Sequence, residues 1–328
     1  MVARAIDPSE EGTVRIGVSA CLLGRQVRFD GGHKRDAFLT DTFGRFVEWV
    51  PVCPEVEVGM GIPRESIRLE RDGDGLHLLA PRSGRVWTEP MRAFSRRRVA
   101  ELQSLDLCGY VLKKDSPSCG MERVRVYARD GSGGGPARDG RGFFAQALID
   151  ANPLLPVEEE GRLCDPRLRE NFVERVFAYR RLRALFTGRW SIGALVVFHT
   201  RHKLVLLAHG AEGYQRLGRL VAGARSLPRA ELRERYEGDF MASLTKLATT
   251  RKHTNVLHHV VGYFKRTLDA SSRAELVALI DDYRNGLVPL VVPLTLIRHY
   301  VRRLEVAYLA DQIYLDPHPK ELMLRNHV

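Results

Sequence analysis

The hydrophobic pattern changes its period once, at Asp165-Pro166, and no other feature constrains the fold as strongly. Before that point short β-branched runs alternate with helical stretches, the pattern of an α/β layer structure with a mainly parallel sheet. After it, long stretches carry apolar residues at helical spacing with almost no strand signal, so the second part reads as all-α. Asp165-Pro166 is itself a helix start, because aspartate caps free backbone N–H groups and proline's fixed φ suits the first helical position. Two domains follow, an α/β domain over residues 1–163 and an all-α domain over 164–328, each long enough to bury its own core.

Within the first domain, Val14 to Ala20 (VRIGVSA) reads as a buried strand ending at Cys21. Ala37 to Trp49 has Phe38, Leu39, Phe43, Phe46 and Val47 at helical spacing. Val50 to Cys53 is a short strand stopped by Pro54, which cannot donate to a ladder. Ile67 to Ala80 reads as a hairpin turning at Asp72-Gly-Asp-Gly. A helix from Thr88 to Leu105 leads into a strand at Gly109 to Lys113. Asp130 to Gly142 reads as a flexible loop before a helix at Phe143 to Asp150, after which Leu155-Pro-Val-Glu returns to the sheet. In the second domain helices are expected over 166–186, 191–209, 213–224, 229–247, 252–268, 273–285 and 294–312, and the tail from Asp316 packs as an arm.

Charge divides at the same boundary. The chain has 51 Lys+Arg against 40 Asp+Glu; residues 1–163 hold 24 of each, so the whole excess of +11 lies in 164–328 with 27 against 16. Nine of eleven histidines are also there. An asymmetry of this size makes a polyanion the first partner to consider for the helical domain. A hydrophobic content of 44% excludes a disordered chain. The longest apolar run, Leu287 to Ile297, is about half a membrane span and contains two prolines. Met1 to Glu11 carries both signs of charge and does not read as a secretory signal. A cytoplasmic protein with no membrane partner is expected.

Cysteine runs the other way. Cys21, Cys53 and Cys119 each follow a strand in a turn segment that contains proline or glycine, and side chains just past the strand ends of an α/β sheet converge on one edge. No CxxC is present, so spacing alone is a weak signal, and a buried thiol is often only a small hydrophobe. Cys108 and Cys164 fit that bland reading. Structural zinc needs four ligands, so here it would require His33 or a carboxylate as well. A soft-thiolate iron–sulfur cluster tolerates cysteines far apart in sequence, and three protein thiolates on four irons leave one iron open.

Four ordered motifs, Ser19-Ala-Cys21-Leu-Leu-Gly24, Asp30-Gly-Gly-His33-Lys, Val52-Cys53-Pro-Glu55 and Ser116-Pro-Ser-Cys119-Gly120, resemble those of the thiouracil desulfidase family over about residues 12–163. The second half, with Phe198-His-Thr-Arg-His202, Lys252-His-Thr-Asn-Val-Leu-His258 and Gly262-Tyr-Phe-Lys265, resembles the helical domain fused to longer members, which are similar to bacterial desulfidases of 4-thiouridine in tRNA. The resemblance implies a 4Fe-4S cluster held by Cys21, Cys53 and Cys119. It implies conversion of C=S to C=O with release of sulfide and no net redox change.

That chemistry needs a base for water and a proton donor for the tetrahedral intermediate. Glu55 is placed for the first, and Ser116 or Ser118 for the second, although turn serines usually only cap backbone. Asp30, Gly31, Gly32, His33 and Lys34 form a loop whose amides and lysine suit an anionic or uracil-like ligand, against the simpler reading of an ordinary turn. Thr249 to Asn255 opens a helix with cations where the dipole disfavours them, which suggests an anion there, while His258 and Tyr263 pack. His199, His202 and His209 read as structural, with no acidic cluster to complete a second metal site. Two other readings remain: a desulfidase of free thiouracil, and a nucleic-acid-binding protein with a structural metal module.

Overall fold

The computed structural model describes residues 13–73, 75–129 and 135–327, which divide into two compact units, the first being Thr13–Asp165 and the second beginning at Pro166. The first unit runs β1 (Arg15–Ser19), β2 (Glu48–Val52), α1 (Pro54–Glu57), β3 (Arg68–Asp72), β4 (Gly75–Leu79), α2 (Thr88–Gln103), β5 (Gly109–Leu112), β6 (Val124–Ala128), β7 (Ala137–Gly140), α3 (Phe143–Ala151) and β8 (Val157–Glu159). One sheet has the order β2-β1-β5-β8 and is parallel throughout. Its central strands β1 and β5 are mostly apolar and buried, as expected where both faces are covered. A second sheet, β4-β3-β6-β7, is mixed: β3 pairs antiparallel with β4 and parallel with β6.

The main core takes Val52, Leu69, Leu78, Tyr110 and Val126 from the strands and Met91, Phe94, Phe144 and Leu148 from α2 and α3. Gly17 of β1 is required there. A Cβ at that position would lie 2.1 Å from the ring of Tyr110 on the neighbouring strand.

The sequence expectation fails at 37–49, where a single wide helical turn (Phe38–Thr42) and a tighter one (Phe43–Arg45) replace a full helix. Trp49 lies in β2 instead, because residues 48–52 pair in register with β1 and the Phe43 ring is held between Phe38 and Trp49, each 5.7 Å away. Tertiary pairing overrides a helical apolar spacing there. The expected loop at Asp130 to Gly142 contains β7, paired with β6; its residues 130–134, like Asp74 of the hairpin turn and Met1 to Glu11, lie outside the described residues.

The second unit is helical: α4 (Pro166–Phe186), α5 (Ile192–His209), α6 (Ala211–Ala222), α7 (Arg229–Leu244), α8 (Thr250–Tyr263), α9 (Ala270–Arg284), α10 (Val291–Arg303) and the single turn α11 (Ala307–Ala310). The helix expected over 294–312 is therefore interrupted; Glu305 adopts φ +49° between α10 and α11. The tail packs as an arm, with Tyr314, Leu315, Leu322 and Leu324 buried and the Arg325 Nε donating to Glu170 Oε1 at 2.9 Å.

Two further corrections concern this unit. Lys252, expected to meet an anion, donates through Nζ to the backbone carbonyls of His209 and Leu247, both at 2.8 Å. A free carbonyl ending α5 and another in the segment just before α8 thus explain a cation at the start of α8. His258 and Tyr263 are exposed rather than packed, while the adjacent Phe264 is fully buried. Glu174 of α4 stands 3.6 Å from His209, an acid far in sequence that the α5 motif did not reveal.

Candidate active site

Parallel pairing of β2, β1 and β5 sets the loops following these strands side by side at one sheet edge. Cys21 lies in the tight turn Ala20–Leu23 after β1, which Gly24 ends at φ +86°. Its carbonyl accepts from the amide of Lys34 at 2.9 Å, which ties the following loop to the cysteine turn. Cys53 directly follows β2 and opens α1, its amide donating to Glu57 Oε1 at 2.9 Å. Cys119 comes from the turn after β5. Its amide and that of Ser118 donate to Ser116 Oγ at 3.0 and 3.2 Å.

The three cysteines line one cavity of about 350 Å³ together with Glu55, Ser116 and Lys34. Glu55 joins two of the loops, its Oε2 accepting from the Cys53 thiol at 3.4 Å and its Oε1 from the Ser116 hydroxyl at 3.3 Å. The carboxylate also faces the buried Arg64, whose Nη2 is 3.9 Å from Oε2 and whose Nη1 is tied to the carbonyls of Val27 and Gly61. Among the described residues no group of three or more His, Cys, Asp or Glu side chains closes on a single ion-sized point.

Burial, with the Glu55 charge second, pushes the Cys21 thiol up to about 11 and the Cys53 thiol up to about 12. Cys119 is raised well above its ordinary value by the same two causes in the same order. Three largely desolvated thiols beside a carboxylate stay protonated by themselves, and a cationic partner is what makes them thiolates.

The two candidate serines separate. Ser116 lies on the cavity wall, whereas Ser118 is fully buried outside it. The Ser118 carbonyl accepts from the amides of Phe144 and Ala145 and so anchors the start of α3. A Cβ on Gly142 would lie 2.4 Å from that carbonyl, so the close approach needs glycine. In the loop 30–34, Lys34 lines the cavity; Asp30 Oδ1 accepts from the Gly32 amide at 3.0 Å, and Gly31 turns at φ +76°. His33 is exposed, its Nδ1 accepting from the Arg35 amide at 3.2 Å. Sequence reasoning did not single out Arg28, Phe29 or Arg64, which also line the cavity. Nothing in the Gly61-Ile-Pro-Arg64 segment signals a role; only the folding of that segment across the Val27 and Phe29 carbonyls brings it in.

Fold and site together define a two-unit protein whose parallel α/β part presents three loop thiols, one carboxylate and one hydroxyl to a common cavity. Residues 16–160, the α/β part, match the model of the 2-thiouracil desulfurase family. Residues 203–319 match a second family, described as a protein of unknown function, DUF1722. Among curated proteins, the chain is 37% identical over 161 residues to the uncharacterized protein YbgA of Escherichia coli K12, covering 49% of this chain and 95% of that one. It is 26% identical over 148 residues to the uncharacterized protein YbbK of Bacillus subtilis 168, covering 44% and 95%. Among solved structures it is similar to the [4Fe-4S]-dependent thiouracil desulfidase TudS, at 29% identity and TM-score 0.38, over 46% of this chain and 94% of that one.

Proposed function

We propose that this chain is an iron–sulfur desulfidase acting on 4-thiouridine in tRNA, in which water replaces sulfur and leaves C=O and sulfide without net redox change. The observation that carries the reading is the meeting of Cys21, Cys53, Cys119, Glu55 and Ser116 around one cavity. The donor set fits a 4Fe-4S cluster: the thiols are soft, Cys21 and Cys119 buried and Cys53 half-buried, and they are spread round a space instead of gathered on one point as mononuclear zinc requires. Bound by the three cysteines, the cluster supplies an open iron, a Lewis acid for the soft thiocarbonyl sulfur.

The residues of the chain do the rest. Glu55 takes a proton from the attacking water, and Arg64 behind it holds the carboxylate in place. Ser116, which already donates to Glu55 Oε1, is the hydroxyl that passes a proton to the intermediate. Ser118, with its carbonyl capping α3, supports the Cys119 turn. Lys34 meets the polar edge of the pyrimidine, while Asp30, Gly31, Gly32 and His33 shape its loop. Glu55→Gln keeps the size of the side chain and removes its basicity, so a fall in kcat of about 10²- to 10⁴-fold is expected. Iron and acid-labile sulfide content should be unchanged in that variant; turnover within a few-fold of wild type would remove Glu55 from the reaction.

The second unit is read as the part that grips RNA, because it holds the whole excess of positive charge. The deciding experiment uses anaerobically purified protein, assayed for sulfide release from thiolated tRNA and from free thiouracil across a salt series. Counterion release should raise KM for the tRNA by at least about tenfold between 50 and 200 mM salt. KM for the neutral free base should stay nearly constant. Turnover of free thiouracil alone would establish the free-base reading, and colourless protein containing zinc would establish a structural metal module.

A further inference from the structure

The helical unit exposes aromatic rings where its core has no use for them. Tyr263, the last residue of α8, and Tyr308 of α11 stack with ring centroids 4.9 Å apart and planes within 15°. Tyr263 is 38% exposed, although Phe264 beside it is fully buried and meets Tyr300 at 6.2 Å. The exposed His259, one turn earlier on α8, sets its ring edge-on to Tyr263 at 5.8 Å. Tyr214 of α6 also neighbours Tyr308. The packing need at this end of α8 is met by Phe264, so the tyrosine pair is an extra aromatic surface, with the Tyr263 ring exposed and Tyr308 half-buried beneath it.

The surrounding sequence is cationic. Lys265 and Arg266 follow Tyr263, and Arg302 and Arg303 end α10 just before α11; all four are exposed. Among the described residues none of the four stands within ion-pairing distance of a carboxylate. A flat aromatic face flanked by unpaired cations matches one ligand chemistry, an unpaired nucleobase with its phosphates.

Resting on the RNA reading above, we infer that Tyr263 and Tyr308 form a stacking platform for an unpaired base of the RNA substrate, with Lys265, Arg266, Arg302 and Arg303 supplying the adjacent phosphate contacts. Stacking is not electrostatic, so the platform adds affinity without adding to the salt slope, while the four cations set part of that slope.

The test measures binding of fluorescently labelled tRNA to the full-length protein across a salt series. Removing the platform (Tyr263→Ala with Tyr308→Ala) should weaken binding by about tenfold or more at every salt concentration with the slope kept. Tyr263→Phe, which keeps the ring, should bind within about twofold of wild type. Helical circular dichroism and the melting temperature report whether each variant folds; if the double variant does not fold, Tyr263→Ala alone is read the same way. Unchanged binding by a folded variant, while wild type binds tRNA, overturns the platform and leaves the RNA reading intact. Failure of wild type to bind tRNA overturns both.

Discussion

Serine in place of Cys21, Cys53 or Cys119 is expected to reduce sulfide release and bound iron together to background. Each thiol follows a different strand of one parallel sheet, and each lines the same cavity, so no neighbouring thiol can take over a missing position. A serine oxygen is hard and ionises far less readily than a thiol, whereas the proposed iron site needs a soft anionic donor. The fold should survive, because the change removes little volume; a buried hydroxyl left unpaired at position 21 or 119 costs about 1–3 kcal/mol. Far-UV circular dichroism and a modest fall in melting temperature separate loss of ligation from loss of structure. Cys108→Ser and Cys164→Ser supply the contrast. The Cys108 thiol is buried and donates to the Asp106 carbonyl at 3.7 Å, the exposed Cys164 thiol donates to the Glu160 carbonyl at 3.8 Å, and neither lines the cavity. Both variants should retain iron and turnover. Full iron content with normal turnover in Cys21→Ser would overturn the proposed ligand set.

The second large effect is acid lability of the helical unit. Burial, with neighbouring cations second, holds His202 and His253 down to about 3 and His199 down to about 4. The cations are Arg181 for His202, Arg325 for His253 and Lys203 for His199. His318 is also lowered to about 4, again by burial first and Arg325 second. Their surroundings explain the neutral state: His202 stacks on Phe198 at 4.0 Å, and His253 Nδ1 lies 2.9 Å from the Tyr314 hydroxyl.

Between the ordinary histidine value of 6.5 and these lowered ones, the unfolded chain binds protons that the folded chain refuses. Stability is therefore complete above pH 6.5 and falls as pH drops towards 4. Each histidine contributes about 1.4 kcal/mol per pH unit in that window, and four together about 5 kcal/mol per unit at most. A typical total stability of about 5–15 kcal/mol would be consumed within a few units. Glu174 adds the same sign at lower pH. Burial opposes its charge, but the hydrogen bond and charge of His209, with Arg325, hold it down to about 2, so its contribution is lost below pH 4.5. Glu170, raised by burial despite Arg325, works the other way as a single group. Urea unfolding at pH 7.5, 6.0 and 5.0, followed by helical circular dichroism, should show a steep fall in the stability of the helical transition. A midpoint constant from pH 7.5 to 5.0 would show that these histidines take up protons in the folded protein as readily as in the unfolded chain.

Much of this was legible in the chain. The strand ends at Cys21, Cys53 and Cys119 could be read because a β-branched run followed by a turn residue is a local signal, and seven of the helix starts in the basic half fell within a few residues for the same reason. Residues 37–49 misled because apolar spacing there is helical, while long-range pairing with β1 takes Trp49 into a strand. The hairpin at β3 and β4 was visible, but its membership of a separate sheet depends on β6, far along the chain. Arg64 and Phe29 could not be found from spacing, since each enters the cavity through a loop that folds across another.

By itself, then, the amino-acid order determined two kinds of folding unit, the side of the boundary on which the thiols and the excess charge lie, and the cysteines available to one sheet edge. These are properties of local periodicity and composition. Tertiary structure alone decided that Ser116 faces the cavity while Ser118 supports α3, that Lys252 caps carbonyls instead of waiting for an anion, and that Tyr263 stays in solvent beside a buried Phe264. In the serine and aromatic pairs two neighbouring residues of similar chemistry differ in the direction their side chains point, and for these and for Lys252 that direction is set by partners brought from elsewhere in the chain.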